Sequence, residues 1–197
     1  MLKISVDFSS FLKKGIKNQK EDFLIALING YQGSGKSFYA IYNLETNFRN
    51  RIVYTNIKSY WSDVHEVRYF TKLVDIYDNH DKNAIFIIDE LSKKFTKDSK
   101  IDKPFYSWLQ QSRKHQRYVF MITQEYLQVP NWLRGVANLS YTTKKIPLTP
   151  IMITTLGRPV LDKETCEWTV EELALKFYKR TKSISSHYDT YEVINEL

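Results

Sequence analysis

The most constraining feature of this chain is the octapeptide GYQGSGKS at residues 30–37, which directly follows the apolar run FLIALIN. It matches the pattern G-x-x-x-x-G-K-[ST], in which glycines allow successive backbone N–H groups to point at one anion. The apolar run predicts a strand buried on both faces, and the residues after the octapeptide have helical spacing. This context favours a loop that binds a nucleotide phosphate over the alternative, a glycine-rich turn that binds nothing.

The residue types within this loop predict separate chemical roles. Lys36 would reach the β- and γ-phosphates, and the hydroxyl of Ser37 would be a ligand of Mg²⁺. ATP and Mg²⁺ are therefore the expected cofactors. The nucleotide contacts are assigned to Gly30, Gly33, Ser34, Gly35, Lys36, Ser37 and Phe38.

A second apolar run, residues 84–88, ends in the two acidic residues Asp89 and Glu90. Asp89 is expected to hold Mg²⁺ through its water shell, and Glu90 to polarise the attacking water as the general base. Apolar strands often end in an acidic residue that only stabilises the following turn. The two acids are assigned a catalytic role here because the phosphate loop precedes them in the same chain. A base aimed at water favours hydrolysis over the chemistry of a small-molecule kinase.

Three further residues are candidates for contacts with the reacting phosphate. Gln124 ends a predicted strand and would contact the γ-phosphate or the attacking water, although it could instead satisfy loop backbone. Arg113 and Arg134 are candidates for an arginine finger supplied to a neighbouring subunit. The alternative for each arginine is an ordinary surface cation.

Strands alternate with helices along the chain, which predicts βαβ units and a mostly parallel sheet. Residues 151–161 predict a hairpin that turns at Gly-Arg-Pro. Three amphipathic segments are predicted as helices, at residues 66–79, at 102–115 with Pro104 in the first turn, and at 169–180 with Thr169 as the N-cap.

The length of 197 residues favours a single domain, residues 23–197, preceded by a lead-in of residues 1–22. The composition, 43% hydrophobic and 26% charged, is that of a globular chain and excludes a disordered one. Cys166 is the single cysteine, which excludes an intrachain disulfide. The apolar runs are far shorter than the roughly 18 residues of a spanning helix, so no membrane insertion by this chain is expected.

The positive charge is concentrated in residues 93–117, whose eight Lys and Arg and two Asp carry +6 of the net +7. This segment begins directly after the two acids, and such a cluster favours contact with a nucleic-acid backbone through counterion release. The alternative is a solvated loop followed by the polar face of a helix. The DNA contacts are assigned to Lys93, Lys94, Lys97 and Lys100.

The segments GYQGSGKS, IFIIDE, SRKH, MITQ and LRGVANL occur in the order typical of the FtsK/HerA-like P-loop ATPases. The chain resembles the zonula occludens toxin-like (Zot) proteins of filamentous phages and the small genome-packaging ATPases of double-jelly-roll viruses. The resemblance covers about residues 23–145, with a weaker likeness at YDTYE in the tail.

This resemblance implies a RecA-like core, ATP hydrolysis, and a homo-oligomeric ring, usually a hexamer, with DNA in its central pore. It implies that Gln124 is a polar sensor and that Arg113 is the finger acting in trans. Zot-like assembly proteins generally carry a membrane helix and a further domain, and this sequence shows neither, which favours the compact packaging type. Capsid or vertex proteins are further expected partners, and the host cytoplasm or the packaging vertex is the expected location.

The expected fold is therefore α/β, a RecA-like P-loop NTPase with a mostly parallel central sheet flanked by helices and a small C-terminal hairpin and helix. The leading function hypothesis is an ATP-driven DNA translocase that packages a viral genome into a preformed capsid. One alternative is a Zot-like ATPase for filamentous-phage assembly or export. A second is a nucleotide-gated DNA-binding module without motor activity.

Overall fold

The computed structural model describes residues 23–188, and the predictions for residues 1–22 and 189–197 lie outside this range. The helices are α1 (Lys36–Asn47), α2 (Lys103–Gln110), α3 (Ser112–His115), α4 (Asn131–Val136) and α5 (Lys182–Ser185), with 3₁₀ turns at Leu73–Ile76, Leu91–Lys93 and Tyr126–Gln128. The strands are β1 (Leu24–Asn29), β2 (Ile52–Thr55), β3 (Glu66–Tyr69), β4 (Ile85–Ile88), β5 (Tyr118–Ile122), β6 (Leu139–Lys145), β7 (Ile151–Leu161) and β8 (Trp168–Lys179).

These strands form one sheet in the order β3-β2-β4-β5-β1-β6-β7-β8. The strands β1 to β6 pair in parallel, whereas β7 and β8 add an antiparallel hairpin at one side. The predicted α/β fold with a mostly parallel sheet is confirmed. Because parallel strands end at a common edge, the residues that follow β2, β4, β5 and β1 are brought together there.

Strand β1 shows why the apolar runs are continuous. Its successive side chains point to opposite faces, with Ala26 and Ile28 in one core cluster and Ile25 and Leu27 in the other. Helix α1 covers the first face, and α2 and α4 cover the second. A strand covered by helices on both faces has no side that tolerates polar residues.

The predicted helix over residues 66–79 is wrong. Residues Glu66–Tyr69 form strand β3, which pairs in parallel with β2, and only the short 3₁₀ turn Leu73–Ile76 follows. The carboxylate of Asp75 accepts the backbone N–H groups of Thr71 and Lys72, at 3.1 and 2.8 Å, and so starts this turn. Pairing with β3 satisfies backbone groups on the outer side of β2, which a helix at residues 66–69 would leave to solvent.

The predicted helix over residues 102–115 is present in two pieces, α2 and α3, separated at Gln111. Asp102 caps α2 by accepting the N–H of Phe105 at 3.1 Å, and Pro104 lies in the first turn as predicted. The apolar face of α2 is buried in the core through Phe105, Trp108 and Leu109.

The predicted helix over residues 169–180 is also wrong, because Trp168–Lys179 is strand β8, paired with β7. Thr169 is therefore not a helix N-cap. Helix-favouring residues such as Glu171 and Leu173 dominate the segment, but helix propensities differ by only a few tenths of a kcal/mol and pairing overrides them. The alternation of exposed Leu173, Leu175 and Phe177 with buried Tyr178 is that of a strand.

The predicted hairpin within residues 151–161 is wrong, because these residues form the single strand β7. The hairpin is made by β7 and β8 and turns at residues 162–167. The carboxylate of Asp162 accepts the N–H groups of Glu164 and Thr165, a local arrangement that favours a turn. Gly157 lies inside β7, at a register shift, where an added Cβ would stand 2.3 Å from Val170. The glycine marks a close approach of two strands.

Replacing Phe86 with Ala should lower the free energy of unfolding by about 3–5 kcal/mol, because its buried ring packs on Tyr54 and Trp108. The matched control is Phe177→Ala in β8, whose side chain is 63% exposed and should cost only ~0.5 kcal/mol. Urea unfolding followed by circular dichroism measures both variants. Equal losses would contradict the outward orientation of Phe177.

Candidate active site

The phosphate loop between β1 and α1 depends on glycine at three positions with positive φ. These are Gly30, Gly33 and Gly35, with φ of 149°, 74° and 91°. A Cβ at Gly35 would lie 1.5 Å from Met152 Cε, and one at Gly30 would lie 2.4 Å from the carbonyl oxygen of Thr143. The loop is therefore open to a ligand on one side and closely packed by β6 and β7 on the other.

Lys36 is the first residue of α1, and its ammonium group lies over the loop. Nζ donates to the carbonyl oxygens of Gly30 and Tyr31, at 2.8 and 3.1 Å. Burial lowers the Lys36 pKa, and the nearby carboxylates of Asp89 and Glu90 oppose that shift. A partly buried ammonium group at the positive end of a helix is suited to hold phosphate oxygens.

Ser37 and Asp89 are brought side by side, as the two motifs predicted. The Ser37 hydroxyl donates to Oδ2 of Asp89 at 2.7 Å. Burial raises the pKa of Asp89, and the hydrogen bonds from Ser37 and from the N–H of Glu90 oppose that shift. Two hard oxygen donors beside the phosphate loop fit Mg²⁺, which prefers few protein ligands together with phosphate oxygens.

Sequence reasoning missed Asn56, which fixes the backbone of Asp89. Its side chain accepts the N–H of Asp89 at 2.8 Å and donates to the carbonyl oxygen of the same residue at 2.9 Å. Asn56 directly follows β2, the neighbour of β4, so its place at the end of a predicted strand was the available signal. These two bonds hold the backbone of Asp89 in place at the end of β4.

Sequence reasoning also missed the polar side chains of β6 that support the loop. The Ser34 hydroxyl lies 2.8 Å from that of Thr143, which also donates to the carbonyl oxygen of Asn29 at 3.3 Å. The Asn29 amide in turn donates to Ser140 Oγ at 3.2 Å. Ser140 and Thr143 of LSYTTKK are buried here and satisfy polar groups at the end of β1 and in the loop.

Glu90 occupies an unusual backbone conformation next to this cluster. Its φ and ψ are 54° and 43°, a left-handed region that few residues other than glycine adopt. The N–H of Glu90 donates to Asp89 Oδ1 at 2.7 Å, and its carboxylate forms an ion pair with Lys93. The two adjacent acids therefore point to different partners.

Gln124 lies at the same edge of the sheet, because β5 is inserted between β1 and β4. Its carbonyl oxygen accepts the N–H of Gly30 at 3.0 Å, and its side chain is exposed. A cavity of about 320 Å³ adjoins it, lined by Ser92, Phe95, Thr96, Thr123, Gln124, Glu125 and Gln128. The amide can therefore reach solvent beside the phosphate loop.

The side chain of Phe38, which was predicted to contact the nucleotide, is buried on the core side of its own helix α1, so only its backbone can face a nucleotide.

The two candidate finger arginines differ in exposure. Arg113 in α3 is exposed and precedes β5, so it lies at the opposite edge of the sheet from the phosphate loop of its own chain. Arg134 in α4 is fully buried and donates to the carbonyl oxygen of Trp168 at 2.5 Å. Because a finger must extend into another subunit, Arg113 is the candidate that we retain.

The basic segment of residues 93–117 is not one surface. Lys93, Lys94, Lys97 and Lys100 are exposed on the loop after β4, at the same edge as the phosphate loop. Arg117 is fully buried, donates to the carbonyl oxygen of Asn79 and packs on Phe86 and Trp108. The interleaved aromatic rings Phe95, Phe105 and Trp108 belong to the core. We refer to residues 93–100 as the basic loop.

Among residues 23–188, no helix combines the length and apolar composition needed to cross a bilayer.

Comparison with known proteins supports the resemblance drawn from the motifs. The family model described as zonular occludens toxin (Zot) matches residues 59–149, which include Asp89, Glu90 and Gln124. No curated protein sequence matches the chain. The resemblance to Zot-like proteins and viral packaging ATPases is confirmed.

Solved structures share the fold. The N-terminal domain of zonular occludens toxin from Neisseria meningitidis is 20% identical, with a TM-score of 0.62, over 84% of this chain and 98% of that one. The genome-packaging NTPase B204 of Sulfolobus turreted icosahedral virus 2, bound to ATP-gammaS, is 13% identical, with a TM-score of 0.51, over 76% and 96%. The RadB recombinase is 13% identical, with a TM-score of 0.53, over 80% and 87%. The RecA-like P-loop NTPase fold is confirmed.

Replacing Asn56 with Ala should weaken nucleotide binding in the presence of Mg²⁺ by about 10- to 30-fold, because Asp89 loses two hydrogen bonds of ~1 kcal/mol each. With EDTA in place of Mg²⁺ the loss should be much smaller. Titration of a fluorescent ATP analogue measures both, with Asn47→Ala at the exposed end of α1 as the control. An equal loss with and without Mg²⁺ would contradict a role through Asp89.

Proposed function

We propose that this protein is an ATPase that moves DNA during the assembly of a virus particle and packages a genome into a preformed capsid. The single observation that supports hydrolysis most directly is that Lys36 and the Ser37–Asp89 pair meet at the glycine loop and that a second acid, Glu90, lies next to Asp89 and near Lys36. A protein that only binds a nucleotide needs the first three groups but has no need of a second carboxylate beside them.

In the proposed reaction each residue acts on a defined atom. The loop N–H groups and the Lys36 ammonium hold the β- and γ-phosphates of ATP, and Ser37 and Asp89 hold Mg²⁺. When bound, the metal neutralises charge that develops on the phosphate oxygens. Glu90 accepts a proton from the water that attacks the γ-phosphorus, and the Gln124 amide orients that water.

The position of Arg113 supports action between subunits. It lies at the opposite edge of the sheet from its own phosphate loop, so it can serve only the nucleotide of a neighbouring copy. A finger of this kind contributes a factor of about 10³ or more in rate. We therefore propose a homo-oligomeric ring, a hexamer by resemblance.

The four lysines of the basic loop support a DNA partner. They follow Glu90 in the chain and are all exposed, so movement of the loop can be coupled to the state of the nucleotide. Lysine ammonium groups contact phosphates without reading bases, so the proposed binding is independent of sequence. Capsid or vertex proteins are the proposed docking partners, in the host cytoplasm or at the packaging vertex.

A second candidate function is assembly or export of a filamentous phage. The family match over residues 59–149 and the likeness to a zonular occludens toxin domain favour it. The two functions share the ATPase reaction and differ in what anchors the ring: a capsid vertex for packaging, and a membrane for export. Co-purification with a capsid protein would favour the first, and recovery with a membrane protein of the phage would favour the second.

The ATPase itself is tested by two substitutions. Lys36→Ala should abolish nucleotide binding, whereas Glu90→Gln should bind ATP normally but lose at least about 10²-fold in turnover, because the amide cannot accept the proton. Phosphate release and nucleotide titration separate the two effects. Glu164→Gln, the same change in the exposed hairpin turn, is the control. Turnover by Glu90→Gln at the parent rate would remove Glu90 from the mechanism and favour the nucleotide-gated module.

Reversing two charges of the basic loop, with Lys94→Glu and Lys100→Glu, should weaken DNA binding and flatten its dependence on salt, because fewer counterions are released. The matched control reverses Arg49 and Lys82, which are exposed at the opposite edge of the sheet. A filter-binding titration at several salt concentrations measures affinity and slope. If both double variants lose affinity equally, the basic loop is not the DNA contact.

A further inference from the structure

The ion pair between Glu90 and Lys93 connects the proposed general base to the basic loop. Lys93 ends the 3₁₀ turn Leu91–Lys93, and its N–H donates to the carbonyl oxygen of Glu90 at 2.9 Å. Glu90 and Lys93 are thus joined by two contacts, a backbone hydrogen bond and an ion pair between their side chains. The carboxylate that would activate water is held by a residue of its own loop.

The neighbouring carboxylate is held in a different way. Asp89 is held by neutral groups, because Asn56 bonds its backbone and the Ser37 hydroxyl bonds its carboxylate. Glu90 has a charged and partly exposed partner, with both side chains 38% accessible. The Glu90 carboxylate is therefore held by a contact that a competing anion can replace, whereas the contacts of Asp89 involve no charged partner that an anion would attract.

Lys93 is also the first of the four lysines assigned to DNA. Its ammonium group can pair with the Glu90 carboxylate or with a DNA phosphate, but a full contact with one weakens the contact with the other. Ion pairs at this exposure are weak, so a polyanion that offers phosphates to several neighbouring lysines at once competes effectively.

We propose that the Lys93–Glu90 ion pair is a gate that restrains hydrolysis until DNA is bound. This inference rests on the proposed ATPase function. Without DNA, Lys93 holds Glu90 along the loop, with its backbone in the left-handed region. When a DNA phosphate pairs with Lys93, the Glu90 carboxylate is released and can accept the proton of the attacking water. Subunits that contact DNA therefore hydrolyse ATP faster than subunits that do not.

The first test compares turnover with and without a short mixed-sequence DNA duplex. Lys93→Met should raise the rate without DNA by about two- to five-fold, the factor that corresponds to a partly exposed ion pair, and should abolish stimulation by DNA. Lys93→Arg keeps the cation and should restore low basal turnover and stimulation. Arg158→Met, which breaks the exposed Arg158–Glu171 ion pair on the hairpin, is the matched control and should behave as the parent.

The second test needs no turnover. In protein labelled with ¹³C at the glutamate carboxyl carbons, the Glu90 signal is assigned from its absence in Glu90→Gln. Addition of DNA should shift this signal in the parent, and in Lys93→Met the signal should already stand near the shifted position. Lys93→Gln provides a second variant if the methionine variant does not fold.

The outcomes separate the gate from the proposed function. A Glu90 signal that saturating DNA leaves unmoved in the parent overturns the gate even if the protein hydrolyses ATP. Equal basal rates and equal stimulation in Lys93→Met and the parent do the same. A parent without any turnover overturns the ATPase proposal, and the carboxyl signal then still decides whether DNA displaces Lys93 from Glu90.

Discussion

The parallel pairing of β1 with β5 is the constraint on which the rest of the site depends. It places Gly30, the first residue of the glycine loop, next to Gln124, which lies just after β5. The N–H of Gly30 donates to the carbonyl oxygen of Gln124 at 3.0 Å. Strand β4 pairs with the other side of β5 and brings Asp89 to the same edge. Because each strand is buried on both faces, a one-residue slip would move every side chain into the opposite core cluster, which is packed around other side chains.

The site balances charges that are costly to bury alone. Burial lowers the pKa of Lys36 and raises that of Asp89, so each shift weakens the charged form. Their mutual attraction opposes both shifts, and the hydrogen bond from Ser37 opposes the shift of Asp89. A nucleotide phosphate beside Lys36 and a divalent cation beside Asp89 would complete the same pattern, since each would add a charge opposite to that of its neighbour.

The β7–β8 hairpin contacts both the phosphate loop and the basic loop. At one end Met152 packs against Gly35, and Tyr178 stacks on Phe38 of α1 with ring centroids 6.0 Å apart. At the other end, Glu167 in the turn lies 3.4 Å from Lys97 of the basic loop. A helix over residues 169–180 could not make both contacts. The proposed sites for ATP and DNA therefore both adjoin one continuous element.

The sequence by itself determined the parts of the molecule that are encoded locally. The glycine loop, the apolar strands and the Asp89–Glu90 pair are each runs of consecutive residues, so their local geometry can be predicted from the spacing of residue types. These runs were sufficient to predict the RecA-like fold and most of the candidate site. The tertiary structure decided what depends on distant partners. Residues 66–69 and 168–179 became strands because β2 and β7 offered backbone partners, and such pairing outweighs small differences in propensity. The burial of Arg134 and the bonds from Asn56 to Asp89 join residues more than 30 positions apart in the chain, which no local pattern records.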